Sequence, residues 1–374
     1  MTHPGPLRLA TAGVAVVGVC FGMARYGHGL LLPDIRRDYG LGSGTLGAIG
    51  TGSYVAYLGA TALTGSFAAR VGARRMAVAA ALIAAAGMAV AGLSRSPAVF
   101  VAGLLVAGAS AGLAFAPFAD ASRDLPPASR GRVLSAINCA TGYGVALAAP
   151  VAILAGTAWR TAWLVFAGIA VLAALRAWRV LPPTGVDPAP TASWGGVLSR
   201  RAAPLLVSGV LIGLGSSAFW TFAVEHLQDT GALSPSTSRA FLGLVGVASV
   251  LATFSGDVVG RLGAPRAYVT VTLMEALALV LLAVAASSVV AGICSAVLFG
   301  VAYNAAVAVQ ALWSTHLFSD RPSLGLSAAL AANGIGLMLG PLAAGLLAGP
   351  LGLDGVLLLG AVLVAAAGTL APPR

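Results

Sequence analysis

Two charged side chains in this sequence stand where charge is expensive. Arg25 lies inside an apolar stretch running from about Leu9 to Leu32, slightly off its middle, and Glu275 lies near the middle of another, at about 267–286. A charge at the centre of such a segment costs roughly 2.5–3.5 kcal/mol when lipid surrounds it. His28 follows Arg25 by three residues and so shares its helix face. An Arg–His pair of this kind can contact an anion or a carboxylate; the other reading of Arg25 is a structural donor to buried carbonyls or hydroxyls. A carboxyl at Glu275 can take up and release a proton, which makes it the candidate for proton coupling; the other reading is a locally paired structural Glu.

Other polar and aromatic residues fall near the middle of apolar stretches. Asn138, Tyr303, Asn304, Gln310 and Asn333 supply polar groups, while Tyr54, Tyr57, Tyr143, Phe219 and Trp220 supply aromatic surface. A small-molecule pocket needs mostly apolar walls and a few placed polar groups. Among these, Arg25, His28, Tyr57, Asn138, Trp220, Tyr303, Asn304 and Asn333 form the candidate substrate-binding set. Each of them has interhelical packing as its competing role. Asp34 and Glu225 stand at the ends of their stretches, as an outer gate or as solvated helix-end acids.

The elements that position these residues follow from composition. The chain has 374 residues, 59% hydrophobic and only 9% charged. Soluble domains carry roughly 25% charged residues, so a soluble, disordered or coiled-coil protein is excluded. A helix needs about 20 apolar residues to cross a bilayer. Twelve such stretches lie near 9–32, 44–69, 76–93, 98–119, 133–155, 160–180, 204–226, 237–259, 267–286, 290–314, 324–347 and 353–371. Short loops rich in Gly, Pro, Ser and Arg join them. The longest, 181–203, carries Pro182, Pro183, Pro188 and Pro190 and reads as a linker between residues 1–180 and 204–374.

The net charge is +10, and every basic residue is Arg. With the N-terminus inside, fifteen arginines fall on the cytoplasmic side and five on the other, while Arg25 lies within a span. The positive-inside rule then places both termini in the cytoplasm. Cys20, Cys139 and Cys294 lie in apolar stretches without a C-x-x-C, so neither a disulfide framework nor a zinc site is expected.

The two halves repeat at an offset of 191 residues. Gly18 and Gly22 meet Gly209 and Gly213, Asp34 meets Glu225, and Pro150 meets Pro341. Gly65, Arg70, Gly72 and Arg75 meet Gly256, Arg261, Gly263 and Arg266. Arg25 meets Ser216, so its charge is not part of the shared scaffold. Parallel six-helix repeats place a substrate path at their interface and allow one half to rock against the other.

The loop Gly65-Ser66-Phe67-Ala68-Ala69-Arg70-Val71-Gly72-Ala73-Arg74-Arg75 resembles the G-x-x-x-D-R-x-G-R-R signature of the major facilitator superfamily, and Gly256 to Arg266 repeats it. The stretch Pro126 to Arg132 is similar to that superfamily's loop between the fourth and fifth helices. The acid of the signature is replaced by Ala69 and Gly260; Asp120, Asp124 and Asp257 are the alternative partners for the loop arginines. Residues Phe21 to Pro33 resemble the YbfB/YjiJ-type branch of the superfamily. The segment Gly336-Leu337-Met338-Leu339-Gly340-Pro341 is similar to a drug–proton antiporter pattern, displaced here to the eleventh stretch, and reads as a packing and kinking element.

The resemblance implies an all-α integral membrane fold of twelve transmembrane helices in two pseudo-symmetric six-helix bundles. Gly65, Arg70, Gly72, Arg74, Arg75, Asp120, Asp257, Arg261 and Gly263 are then gating-loop candidates. The first, second, fifth, seventh, tenth and eleventh helices would line the cavity, and the ninth would stand behind it. The expected function is secondary active transport of a small organic solute across a bacterial inner membrane, by proton-coupled export. Uptake or exchange of an organic anion through Arg25, and a non-transporting receptor or sensor, remain as alternatives. Enzyme activity is not expected: with Lys absent there is no P-loop, and there is no H-E-x-x-H. The expected partners are the substrate, the lipid bilayer and protons, with no nucleic acid, cofactor or metal, in a monomer.

Overall fold

A computed structural model describes residues 4–122, 125–183, 199–230, 234–318 and 322–372. Within these residues the chain is helical and contains no strand. The elements are α1 (Pro6–Val17), a π-helical segment (Gly18–Met23), α2 (Gly27–Tyr39), α3 (Ser43–Val71), α4 (Ala73–Leu93), α5 (Pro97–Ala114), α6 (Ala116–Ala121), α7 (Pro127–Asn138), α8 (Ala140–Ala155) and α9 (Trp159–Val180). They continue with α10 (Ala203–Asp229), α11 (Pro235–Ala248), a 3-10 segment (Ser249–Phe254), α12 (Ser255–Leu262), α13 (Ala264–Val284), α14 (Val289–Leu317) and α15 (Pro322–Thr369).

Each of the twelve apolar stretches falls on helix. Among the described residues, nine helices are long and apolar enough to cross a membrane, or up to ten if the bent α7–α8 pair is one span. The eleventh and twelfth stretches run together in α15, which turns at Gly352 with φ 68°. That left-handed conformation suits glycine, and it is where a helical reversal between two spans is needed.

The chain divides into two compact units, residues 1–40 with 52–191, and residues 41–51 with 192–374. Helix α3 therefore changes allegiance at Gly52. Most of the expected linker lies outside the described residues.

The 191-residue repeat reappears in backbone geometry. Gly72 precedes α4 with φ 81°, ψ 152°, and Gly263 precedes α13 with φ 77°, ψ 151°. Each turn uses a conformation that a side chain would strain. The close helix crossings repeat as well. In the first unit, a β-carbon at Gly22 would lie 2.5 Å from Gly144 Cα. In the second, a β-carbon at Gly213 would lie 2.9 Å from Gly336 Cα. Small residues at these crossings let the backbones touch, which in lipid replaces the hydrophobic drive for helix association.

The first span departs from its repeat. After α1 the hydrogen bonds shift by one residue, with Ala24 N–H on Val19 O at 2.8 Å and Tyr26 N–H on Phe21 O at 3.2 Å. The helix then breaks over Ala24–Tyr26 and restarts as α2. Its counterpart α10 runs unbroken for 27 residues. π-segments of this kind concentrate at functional positions.

In the second unit, the start of α3 packs on the Pro341 turn of α15. A β-carbon at Gly50 would meet Pro341 Cβ at 2.9 Å. Thr51 Oγ1 donates to Met338 O at 2.6 Å and accepts from Leu342 N–H at 3.1 Å. Met338 O and Leu342 N–H are an ordinary i, i+4 pair, so the Thr51 hydroxyl bonds to both members of one helical pair.

Candidate functional site

The broken first span builds one candidate site within the first unit. Arg25 sits in the break and is only 3% exposed. Its guanidinium carbon lies 3.9 Å from the ring centre of Tyr54 and 4.2 Å from that of Tyr57, with Phe21 and Tyr26 at 5.5 and 5.6 Å. Tyr54 and Tyr57 are three apart on α3 and so present one face. Cation–π contacts of this kind contribute about 0.5–2 kcal/mol, more when desolvated. The aromatic rings thus replace part of the hydration that Arg25 loses inside the span.

His28 is fixed by the same break. In an unbroken helix Arg25 O would accept Gly29 N–H; here Gly29 N–H turns to Tyr26 O at 3.1 Å. The released Arg25 carbonyl instead accepts His28 Nδ1–H at 2.7 Å. A carbonyl can only accept, so Nδ1 carries the proton. His28 Nε2 is buried and has no hydrogen-bond partner among the described residues. The structure therefore brings Arg25, His28 and Tyr57 together. Asn138 lies exposed at the end of α7, and among the described residues no hydrogen bond or ring contact ties it to this group.

Three other sequence-predicted residues meet in the second unit. Trp220 packs edge-on against Tyr303 at 5.7 Å between ring centres and against Phe299 at 5.4 Å. Tyr303 OH reaches Asn333 Oδ1 at 3.4 Å. Phe219 stacks on Phe299, which stacks on Tyr303 at 5.8 Å. This is a buried aromatic cluster with an amide at its edge, and its composition suits the wall of a small-molecule pocket. Asn304 does not join it through a polar contact; its amide returns to Gly300 O on its own helix at 3.1 Å. Gln310 Nε2 instead donates to Ser208 Oγ at 3.1 Å and to Tyr268 OH at 2.9 Å.

Glu275 is fully buried on α13 and meets Ser216 of α10. Ser216 Oγ lies 2.5 Å from Glu275 Oε1 and 2.6 Å from Ile212 O. One hydroxyl proton cannot serve both acceptors. Two arrangements satisfy the geometry. An ionised Glu275 receives the Ser216 proton, or a protonated Glu275 donates to Ser216, whose own proton then turns to Ile212 O. Glu275 Oε2 has no hydrogen-bond partner among the described residues. Ser216 is a partner that sequence reasoning missed. It was visible only as the repeat counterpart of Arg25, because the α10–α13 register that pairs it with Glu275 is tertiary.

The loop residues are placed as follows. Gly72 and Gly263 each make a positive-φ turn. Arg74 donates through Nε to Leu181 O at 2.5 Å and lies over Trp178 at 5.4 Å. Arg75 and Arg261 are exposed, and Asp120 is half-buried on α6. The side chains of Gly65, Arg70 and Asp257, and all of Asp124, lie outside the described residues. Asp34 is buried and pairs with Arg37 at 3.3 Å, while Glu225 is 1% exposed; both acids are thus more enclosed than solvated helix-end residues. Among the described residues no group of three His, Cys, Asp or Glu side chains could hold a metal.

Helices long enough to span a bilayer, two repeated units and buried charge inside spans define a multi-pass membrane protein of the transporter type. The sequence profile of the Major Facilitator Superfamily matches residues 14–208. The chain belongs to that superfamily, whose members are membrane transporters and not enzymes. No curated protein matches it. Among solved structures, the nucleoside transporter NupG superposes with a TM-score of 0.77 at 15% identity, covering 98% of both chains. A bacterial homolog to the human lysosomal transporter Spinster, in its inward-facing conformation, gives a TM-score of 0.77 at 13% identity, covering 99% of this chain and 95% of that one. At such identities the likeness is one of fold.

Proposed function

We propose that this transporter exports a small organic solute across a bacterial inner membrane in exchange for protons, by alternating access of its two six-helix halves. The observation that carries the proton coupling is the Ser216–Glu275 contact, in which a fully buried carboxyl has a partner for either protonation state. The arginine asymmetry of the loops supports cytoplasmic termini. Trp220, Tyr303 and Asn333 are the proposed substrate surface of the second half, and Arg25, His28 and Tyr57 that of the first. Gly65, Gly72, Gly263 and the loop arginines are the proposed gating elements.

A second reading, uptake or exchange of an organic anion, is favoured by one specific observation, the burial of Arg25 against Tyr54 and Tyr57. Reconstituted vesicles separate the readings. A thermal-shift panel of organic acids, sugars, cationic drugs and nucleosides first supplies a ligand; nucleosides enter because NupG shares the fold. Flux of that ligand with a matching change of lumenal pH supports proton exchange. Flux of an anion without a pH change supports the second reading. Binding without flux under any gradient supports a receptor and ends both.

A further inference from the structure

A groove of about 1080 Å3 opens at one end of the second unit, where α13 begins and α14 ends. Its walls include Leu262, Arg266, Val269, Trp313, His316 and Leu317. Leu262 and Val269 are 43% and 37% exposed, whereas Trp313 is 5% exposed and packs against Tyr268. Arg266 is exposed, and among the described residues it makes no hydrogen bond or ion pair. His316 Nδ1 donates to Leu312 O at 2.9 Å, which leaves its Nε2 edge outward.

The repeat explains why the groove exists. Arg266 is the counterpart of Arg75, Pro265 of Arg74, and Pro372, which also lines the groove, of Leu181. In the first unit this corner is filled by the chain itself, since Arg74 bonds Leu181 O and stacks over Trp178. In the second unit the Arg74 position is proline and the Trp178 position is Thr369. Among the described residues nothing fills the same corner, which has an arginine at its mouth and apolar walls leading away from it.

We propose that this groove seats one anionic phospholipid, its phosphate on Arg266 and its acyl chain along Leu262, Val269 and Leu317. The site lies at the ends of two spans, so it stands at headgroup depth, where Trp side chains also belong. A basic residue beside an apolar cleft between helices selects anionic headgroups, and among the described residues no acidic side chain lines the groove. Zwitterionic lipids fill the apolar part equally well and lack the net charge that Arg266 rewards.

The test uses the full-length protein purified in detergent and titrated with phosphatidylglycerol or phosphatidylcholine, with retained lipid read by native mass spectrometry and stability by thermal unfolding. Phosphatidylglycerol should be retained preferentially and should raise the unfolding temperature more. Arg266→Gln should weaken that preference by roughly fivefold, the effect of one basic residue at a membrane surface. Val269→Trp, which fills the groove without touching its charge, should displace the lipid. Equal retention of the two lipids, an unchanged preference in Arg266→Gln, or equal stabilisation by glycerol phosphate alone would each overturn the proposal.

Discussion

Ser216 and Glu275 share a hydrogen bond that either partner can donate. The Ser216 hydroxyl has a second acceptor, Ile212 O, to which it turns when the carboxyl holds the proton. This lets a buried acid change its protonation state without leaving Oε1 unsatisfied. Glu275→Gln keeps an acceptor for Ser216 and a similar volume, so the variant should fold and should bind substrate. Its transport should lose its dependence on a proton gradient. Counterflow that persists while pH-driven flux disappears is the expected outcome; pH-driven flux at the wild-type level would remove Glu275 as the coupling acid.

The Arg25 cluster makes a different prediction, because planarity matters as well as charge. A guanidinium stacks on two rings and still presents N–H donors at its edge, whereas an ammonium is a compact point charge. Arg25→Lys should therefore lower the affinity for an anionic substrate. Tyr57→Leu should do so by about 2- to 30-fold, the range of one cation–π contact. Binding measured by scintillation proximity with an anionic ligand and with a neutral analogue decides the role. Loss confined to the anion supports contact with substrate, and equal loss for both assigns Arg25 to the structure of the broken span.

Much of this arrangement was legible in the sequence, and the remainder has identifiable causes. The spans follow from apolar length, and the 191-residue offset foretold that Gly72 and Gly263 would make the same turn. Arg25 and Glu275 stood out because neither lies where topology calls for charge. The π-segment at Gly18–Met23 was not legible, since a shift of hydrogen bonds by one residue leaves the apolar pattern unchanged. Tyr54 as a partner of Arg25, Ser216 as a partner of Glu275 and Thr51 as a partner of α15 all depend on how one helix is rotated against another. A single sequence records which face of a helix is apolar and not which residue of a neighbour it meets. Asn138 and Asn304 join the candidate substrate residues by depth and by the cavity-lining helices of the resembled family, and Asn304 bonds its own helix.

The glycine crossings can be tested against a control in the same protein. An added β-carbon at Gly22 would fall 2.5 Å from Gly144 Cα, while at Gly59 it would meet nothing within 4 Å. Overpacking of this kind costs typically about 1–3 kcal/mol, and where backbone meets backbone the neighbour has little room to yield. Gly22→Ala and Gly213→Ala should both lower the unfolding temperature and the folded yield. Gly59→Ala should leave both unchanged or raise them slightly, since alanine is the better helix former. Equal behaviour of the three variants would mean that the crossings are not tight.

Thr51 meets α15 at the turn that carries Pro341. Proline has no N–H for Leu337 O, and its ring presses on that carbonyl, so the turn opens on that side. The Thr51 hydroxyl bonds to both Met338 O and Leu342 N–H beside that turn. Thr51→Val keeps the shape and removes the donor and acceptor together, leaving two part-buried backbone groups without that partner. Thr51→Ser keeps both hydrogen bonds. Thr51→Val should thus cost about 1–3 kcal/mol, the range for a buried polar group left without its partner, and Thr51→Ser well under 1 kcal/mol. Pro341→Ala supplies the missing N–H and lets the turn close, so in that background Thr51→Val should cost much less. A full cost of Thr51→Val in both backgrounds, measured by thermal unfolding as a double-mutant cycle, would show that Thr51 and Pro341 act independently.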